Sequence, residues 1–170
     1  DGEATEKEKK EIAGNIENIL HAKLQDSLFF YKEDTKLKLE KKREELKGLV
    51  FLKGAGSMYE KSTRLFFLAK YMSDELRLSE SERSVLEGAC LLAKSDLLTH
   101  MVGEFPELQG IMGKYYALEN GVNREAATAI GEQYLPRTAQ DKLPEPLAGS
   151  VLSILDKMDL VTASFALGNE

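Results

Sequence analysis

One cysteine, two histidines, four prolines and no tryptophan in 170 residues remove several chemistries at once. Cys90 has no partner for an intramolecular disulfide, so the sequence reads as that of a reducing, cytoplasmic protein. His21 and His100 stand far apart, and neither has a second His or Cys at ligand spacing, which argues against a zinc site built on them. There is no Ser/His/Asp array and no glycine-rich loop of the phosphate-cradling kind. No apolar run approaches the roughly 18 residues of a spanning helix, and the start, Asp1-Gly2-Glu3, is charged rather than signal-like. Basic residues do not dominate either: 29 acidic against 23 basic side chains give a formal charge of −6. Such a surface repels phosphate as a whole, so any nucleic-acid contact needs a local patch. The length suits one domain. Beginning at Asp1 without methionine and stopping at Asn169-Glu170 just after an apolar helical pattern, the chain reads as a piece of something longer.

What the sequence does contain is helical periodicity. Ile16, Ile19, Leu20, Leu24, Leu28 and Tyr31 recur at helical spacing and predict a first helix from about Asn15 to Glu33 with that stripe turned inward. Lys36 to Lys47, dense in Lys and Glu, predicts a solvated helix carrying i,i+4 ion pairs. Val50-Phe51-Leu52 running into Gly54-Ala55-Gly56 predicts a short extended segment and a turn. Ser57 with Glu60 and Ser79 with Glu82 have capping-box spacing and give two helices their starts. Leu65, Leu68, Ala69, Met72 and Leu76 mark the buried stripe of the first; Val85, Ala89, Leu92 and Ala93 mark that of the second. One turn further lies Asp96, a carboxylate on an apolar face that requires a buried partner. Pro106 breaks the pattern, Asn120-Gly121 is a turn, and Asn123 caps a helix from about Arg124 to Tyr134, closed by Pro136. After a polar loop, a last helix turns Val151, Ile154, Leu155, Met158, Val161, Thr162 and Phe165 inward. No convincing strand and no internal repeat appears. The fold class is all-α.

Few residues offer chemistry. Glu104 with Glu107, and Asp156 with Asp159, are spaced to share a helix face, where crowded carboxylates raise one another's proton affinity; solvated acidic faces have the same spacing. Cys90 in an apolar helix reads as core packing. Phe29-Phe30-Tyr31, Phe66-Phe67 and Tyr115-Tyr116 either stack nucleobases or, as helical spacing favours, fill the core with an outward tyrosine. Lys114, Arg124, Arg137, Lys142 and Lys157 are the candidates for a local phosphate or tRNA contact, against the plainer reading of a solvated face.

The run Ala93 to Gly121, AKSDLLTHMVGEFPELQGIMGKYYALENG, resembles the β subunit of bacterial heterotetrameric glycyl-tRNA synthetases. So do AKLQDSLFFYKED (Ala22 to Asp34), EQYLPRTAQDKLPEPLAG (Glu132 to Gly149) and LDKMDLVTASFALG (Leu155 to Gly168), in the expected order and over nearly the whole chain from about Gly14. The resemblance implies an enzyme that joins glycine to its tRNA with ATP through glycyl adenylate. In that family the α subunit carries the glycine and ATP site, and the β subunit supplies tRNA recognition and continues well past Gly168 into an anticodon-binding domain. Alone, then, this piece is expected to be inactive and to hold no cofactor. Its implied partners are the α subunit, tRNA for glycine and the rest of the β subunit, with no membrane.

The resemblance extends to the HD superfamily of metal-dependent phosphohydrolases, here in degenerate form, with N-terminal helices over 1–53 and an HD-like core over 54–168. Aligned with that pattern, Lys61 takes the first His position, Ala93 and Lys94 take the His-Asp pair, and Asp156 alone matches. With three of four ligands lost, no metal is expected, and the ammonium groups of Lys61 and Lys94 are expected to neutralise Asp156 as a structural or phosphate-binding relic. Two rivals stand beside the noncatalytic ligase module: a working HD phosphohydrolase and a pure protein-interaction module.

Overall fold

Three capping boxes start three of the helices. In the computed structural model, which describes residues 5–168, Thr5 with Glu8, Ser57 with Glu60 and Ser79 with Glu82 each exchange side-chain and backbone hydrogen bonds. The Asp1-Gly2-Glu3 start and the Asn169-Glu170 end lie outside the described residues. The helices are α1 (Glu6–Asp34), α2 (Leu39–Glu45), α3 (Met58–Glu75), α4 (Glu80–Leu92), α5 (His100–Glu104), α6 (Ile111–Glu119), α7 (Arg124–Glu132) and α8 (Leu147–Ala166). Between α2 and α3, β1 (Val50–Leu52) and β2 (Gly56–Ser57) form a small antiparallel hairpin over the positive-φ glycines Gly54 and Gly56. The described residues are all-α apart from that hairpin.

α4 is the central element, packed against α3, α7 and α8. Leu65 and Ala69 of α3, Leu86, Ala89 and Cys90 of α4, Ala127, Ala129 and Ile130 of α7, and Leu152 of α8 are fully enclosed. The many alanines let helix axes come close, and Gly149 of α8 carries this furthest: a Cβ there would lie 3.5 Å from the backbone of Ala129. Asn123 caps α7 by accepting from Glu125 and Ala126, but the helix stops at Glu132, two residues before the predicted end.

Several predicted stripes face the other way. α1 starts nine residues earlier than expected because the Thr5–Glu8 box caps it ahead of the apolar stripe, and its Ile16, Ile19, Leu20, Leu24 and Leu28 are all exposed. Leu68 of α3 and its C-cap Leu76 are exposed while Leu65 and Ala69 are enclosed; on α8, Ile154, Met158, Val161, Thr162 and Phe165 are exposed while Val151, Leu152 and Leu155 are buried. Periodicity finds a helix but does not say how wide its covered face is. The Lys36 to Lys47 segment is also less solvated than predicted. Lys36 and Lys47 pair at i,i+3 with Glu33 and Glu44, and Lys42 is buried 3.6 Å from Asp34.

The GEFPELQG stretch is a corner. α5 stops at Glu104, Pro106 opens a 3₁₀ turn, and Gly110 at φ +79 turns the chain into α6. Asp96 is the partner for this corner: its Oδ2 accepts from the backbone N–H of Gly110 at 2.6 Å and of Gly113 at 3.1 Å. Burial raises its carboxyl above the usual range, only partly offset by these amides and by Lys94. Gly113 is the third residue of α6, where alanine is ordinarily the better helix former. Here a Cβ would meet Ile130 Cγ2 at 2.9 Å and Asp96 Oδ2 at 3.1 Å. Gly113→Ala is therefore expected to destabilise the chain by about 1–3 kcal/mol in urea denaturation; a gain in stability would show that the corner has room to yield.

Candidate functional site

Five charged side chains from three places in the chain meet beneath the β1–β2 hairpin. α3 supplies Lys61 and Arg64, one turn apart; the residue after the C-cap of α4 supplies Lys94; α8 supplies Asp156 and Asp159, again one turn apart. Lys61 Nζ lies 3.0 Å from Asp156 Oδ1 and 3.0 Å from Asp159 Oδ2, and Lys94 Nζ lies 2.9 Å from Asp156 Oδ2. Lys61 also donates to the backbone carbonyl of Asp156 at 3.1 Å. Arg64 grips Asp159 in the fork geometry that favours guanidinium, with Nε to Oδ1 at 2.7 Å and Nη2 to Oδ2 at 3.1 Å.

Both ammonium groups rest on aromatic faces, Lys61 at 4.5 Å from the Phe51 ring centre and Lys94 at 4.2 Å from that of Tyr134. Burial alone would push Asp156 up, but the charges of Lys94 and Lys61 and their hydrogen bonds outweigh it and hold the carboxyl below its usual range. Asp159 is held low in the same way, with Arg64 and Lys61 overcoming burial. Burial pulls the Lys94 ammonium below an ordinary lysine against the opposing pull of Asp156. Three cations thus face two carboxylates, and the excess charge sits on Arg64, whose side chain is the open one at 38% exposure.

This donor set does not fit a divalent ion. Each oxygen of Asp156 already faces an ammonium, and a hard cation needs carboxylate, carbonyl or imidazole ligands that are missing here. Among the described residues no group of three or more His, Cys, Asp or Glu is placed to hold a metal. Nor do Asp156 and Asp159 form an acid/base pair, because Lys61 lies between them. Glu104 and Glu107 are exposed. Cys90 is enclosed, and burial drives its thiol far above the range in which it reacts.

The sequence pattern missed Arg64 and Asp159 as partners of this cluster; their signal was the shared i,i+3 spacing of Lys61/Arg64 and Asp156/Asp159. It also missed a second buried anchor. Asp34, at the end of α1, accepts from the backbone N–H of His100 at 2.8 Å and of Met101 at 3.0 Å, and from Tyr116 Oη at 2.8 Å. His100 is thereby a structural partner. Phe30 stacks on His100 and Tyr31 on Tyr116, so the aromatic clusters serve packing, with Phe29, Phe67 and Tyr115 as the outward members. Two of these three are phenylalanines rather than the tyrosine expected.

The profile of the family described as glycyl-tRNA synthetase beta subunit matches residues 2–170. The chain belongs to that family. Its relatives include proteins named glycine–tRNA ligase beta subunit from Desulforamulus reducens, 51% identical over 92% of this chain, and from Natranaerobius thermophilus, 48% identical over 92%. A third, from Shouchella clausii, is 46% identical over 92%. The chain spans only 22% to 23% of the length of these beta subunits.

Two of the five basic candidates of this beta-subunit segment line one concavity. Arg137 and Lys157 share a concavity of about 380 Å³ with Tyr134, Pro106 and Pro136. Lys157 is partly committed there, donating to the Leu135 carbonyl at 3.0 Å and to Ser153 Oγ at 2.8 Å, and its ammonium is lowered by burial. Lys142 leans toward Glu132 at 3.9 Å, Arg124 lines a separate pocket with Glu125 and Glu145, and Lys114 packs its aliphatic stem over Gly131. Ala93 is fully enclosed, and its carbonyl accepts from Gln133 Nε2. No helix among the described residues is long and apolar enough to cross a membrane.

Proposed function

We propose that these residues form a noncatalytic, HD-like helical module of a cytoplasmic glycyl-tRNA synthetase beta subunit, with its core over 54–168 and supporting helices over 1–53. In this reading the complete enzyme ligates glycine to its tRNA with ATP bound by the α subunit, and the module helps by placing the tRNA and by contacting the α subunit and the rest of the beta subunit. The observation that carries the noncatalytic part is the engagement of both Asp156 oxygens by Lys61 and Lys94. A centre so occupied offers neither a metal-activated water nor a free base, which disfavours phosphohydrolysis. Arg137 is the preferred RNA contact: it shares a wall with Tyr134 and Pro136, and its backbone is pinned by Asp141.

The test uses the complete synthetase. Replacing Asp156 and its two ammonium partners jointly (Lys61→Met, Lys94→Met, Asp156→Leu) is expected to leave glycine-dependent ATP–pyrophosphate exchange within about two-fold of wild type. Arg137→Ala is expected to leave exchange alike while reducing the log–log salt slope of tRNA binding by about one. Exchange that collapses in the first variant, or a salt slope untouched in the second, would remove the corresponding half of the reading.

A further inference from the structure

The charge cluster borders a surface it does not use. Between α3 and α8 runs a groove of about 610 Å³ walled by Phe67, Tyr71 and Met72 on one side and Ile154, Met158 and Thr162 on the other. Phe67 and Tyr71 are each 62% exposed, Ile154 60% and Met158 57%. Such exposure of large apolar side chains on facing walls is the composition of an interface core, not of a solvated surface. The walls are ridges at i,i+4 spacing, Phe67/Tyr71 on α3 and Ile154/Met158/Thr162 on α8, the latter about 12 Å long at 1.5 Å per residue. A space between two such ridges accepts the apolar stripe of a third helix.

The polar groups at its end ask for nothing ionic. Arg64 spends Nε and Nη2 on Asp159 and Nη1 on the Ala55 carbonyl, while Asp159 also holds Lys61. Beyond Arg64 the walls are mostly apolar, and they suit an aliphatic side chain better than a phosphate or a nucleotide. The occupant is therefore apolar. Its source follows from length: the matched beta subunits devote 22% of their chain to this stretch, so about four-fifths of the polypeptide lies elsewhere. A covalently tethered segment whose linker reaches the groove has an effective concentration of up to about millimolar, ahead of a dilute separate molecule.

We propose that the α3/α8 groove seats an apolar helix contributed by the same beta subunit from outside residues 1–170. The inference rests on the chain being part of a longer beta subunit and is independent of tRNA placement. A photo-crosslinking amino acid in place of Met158, in the complete synthetase with tRNA bound, is expected to attach to a peptide of the same beta chain outside these residues. Unsubstituted Met158 in the beta subunit alone is expected to oxidise at least about ten-fold more slowly than in the urea-unfolded chain. Crosslinks to the α subunit, to tRNA or to a second beta subunit, or no crosslink together with free oxidation of Met158, would each overturn it. None of these readouts depends on the exchange or salt-slope assays, so the two readings fail separately.

Discussion

Asp156→Ala is expected to destabilise the chain by about 3–5 kcal/mol, measured by urea denaturation followed by circular dichroism. The size is set by the groups left behind after truncation. Lys61 keeps a second carboxylate in Asp159, but among the described residues Lys94 has only Asp156 within ion-pair distance and is otherwise held over the Tyr134 ring. An ammonium left inside without its counter-charge loses more to desolvation than a ring face returns. It is then expected to give up its proton.

That gives the variant a pH signature. With Lys94 neutral in the folded state and protonated in the unfolded state, unfolding takes up a proton, and stability should climb as pH rises toward the ordinary lysine value of about 10.4. The contribution of Asp156 itself in the wild type runs in the acid range. The folded carboxyl of Asp156 is held below its usual value, so its contribution is complete above the unfolded value of about 3.9 and is lost as pH falls through the folded one. Removing all three charges (Lys61→Met, Lys94→Met, Asp156→Leu) is expected to be neutral or stabilising by about 1–4 kcal/mol, because no buried ammonium is then left unpaired. A cost below about 1 kcal/mol for Asp156→Ala would mean that Lys94 reaches water after all.

How much of this was legible in the sequence depended on distance along the chain. The boxes at Ser57 and Ser79, the cap at Asn123 and the breaks at Pro106 and Pro136 are local: three or four residues carry the physics, so the sequence declares them. Lys61, Lys94 and Asp156 were singled out through the resemblance to HD proteins. The structure brings both ammonium groups within 3.0 Å of Asp156, yet spacing could not have paired residues 95 and 62 apart. Which of the basic candidates lie side by side was hidden for the same reason. Each is basic and near a loop, but only the fold decides that Arg137 and Lys157 share a wall while Arg124 faces Glu125 and Glu145. The exposed stripes of α1 and α8 went wrong differently. A stripe built to meet a partner outside the chain has the same period as one built to meet the chain's own core.

Asp34→Ala is expected to release α1 without unfolding the rest. Asp34 is fully enclosed, and one carboxylate serves four donors: the amides of His100 and Met101, the Tyr116 hydroxyl and the His100 ring. Lys42 of α2 adds its charge at 3.6 Å. Truncation strands these donors and a buried lysine, a cost of about 3–5 kcal/mol on the scale of broken buried ion pairs. The loss is confined because α1 meets the remainder chiefly through α5 and leaves its long apolar stripe exposed. Hydrogen exchange should therefore accelerate across α1, residues 6–34, while α4 and α7 stay protected. Asp34→Asn keeps an acceptor but sets an amide N–H₂ against a donor, so it should fall between wild type and alanine. Burial raises the Asp34 carboxyl, and the bonds from Met101, His100 and Tyr116 bring it below the usual range. Its contribution is thus present above about 3.9 and lost in acid, so the asparagine variant should show a shallower acid decline of α1 protection than wild type. Equal acceleration in α1 and α4 would mean instead that Asp34 anchors the whole core, and that α1 folds as one unit with α2 to α8.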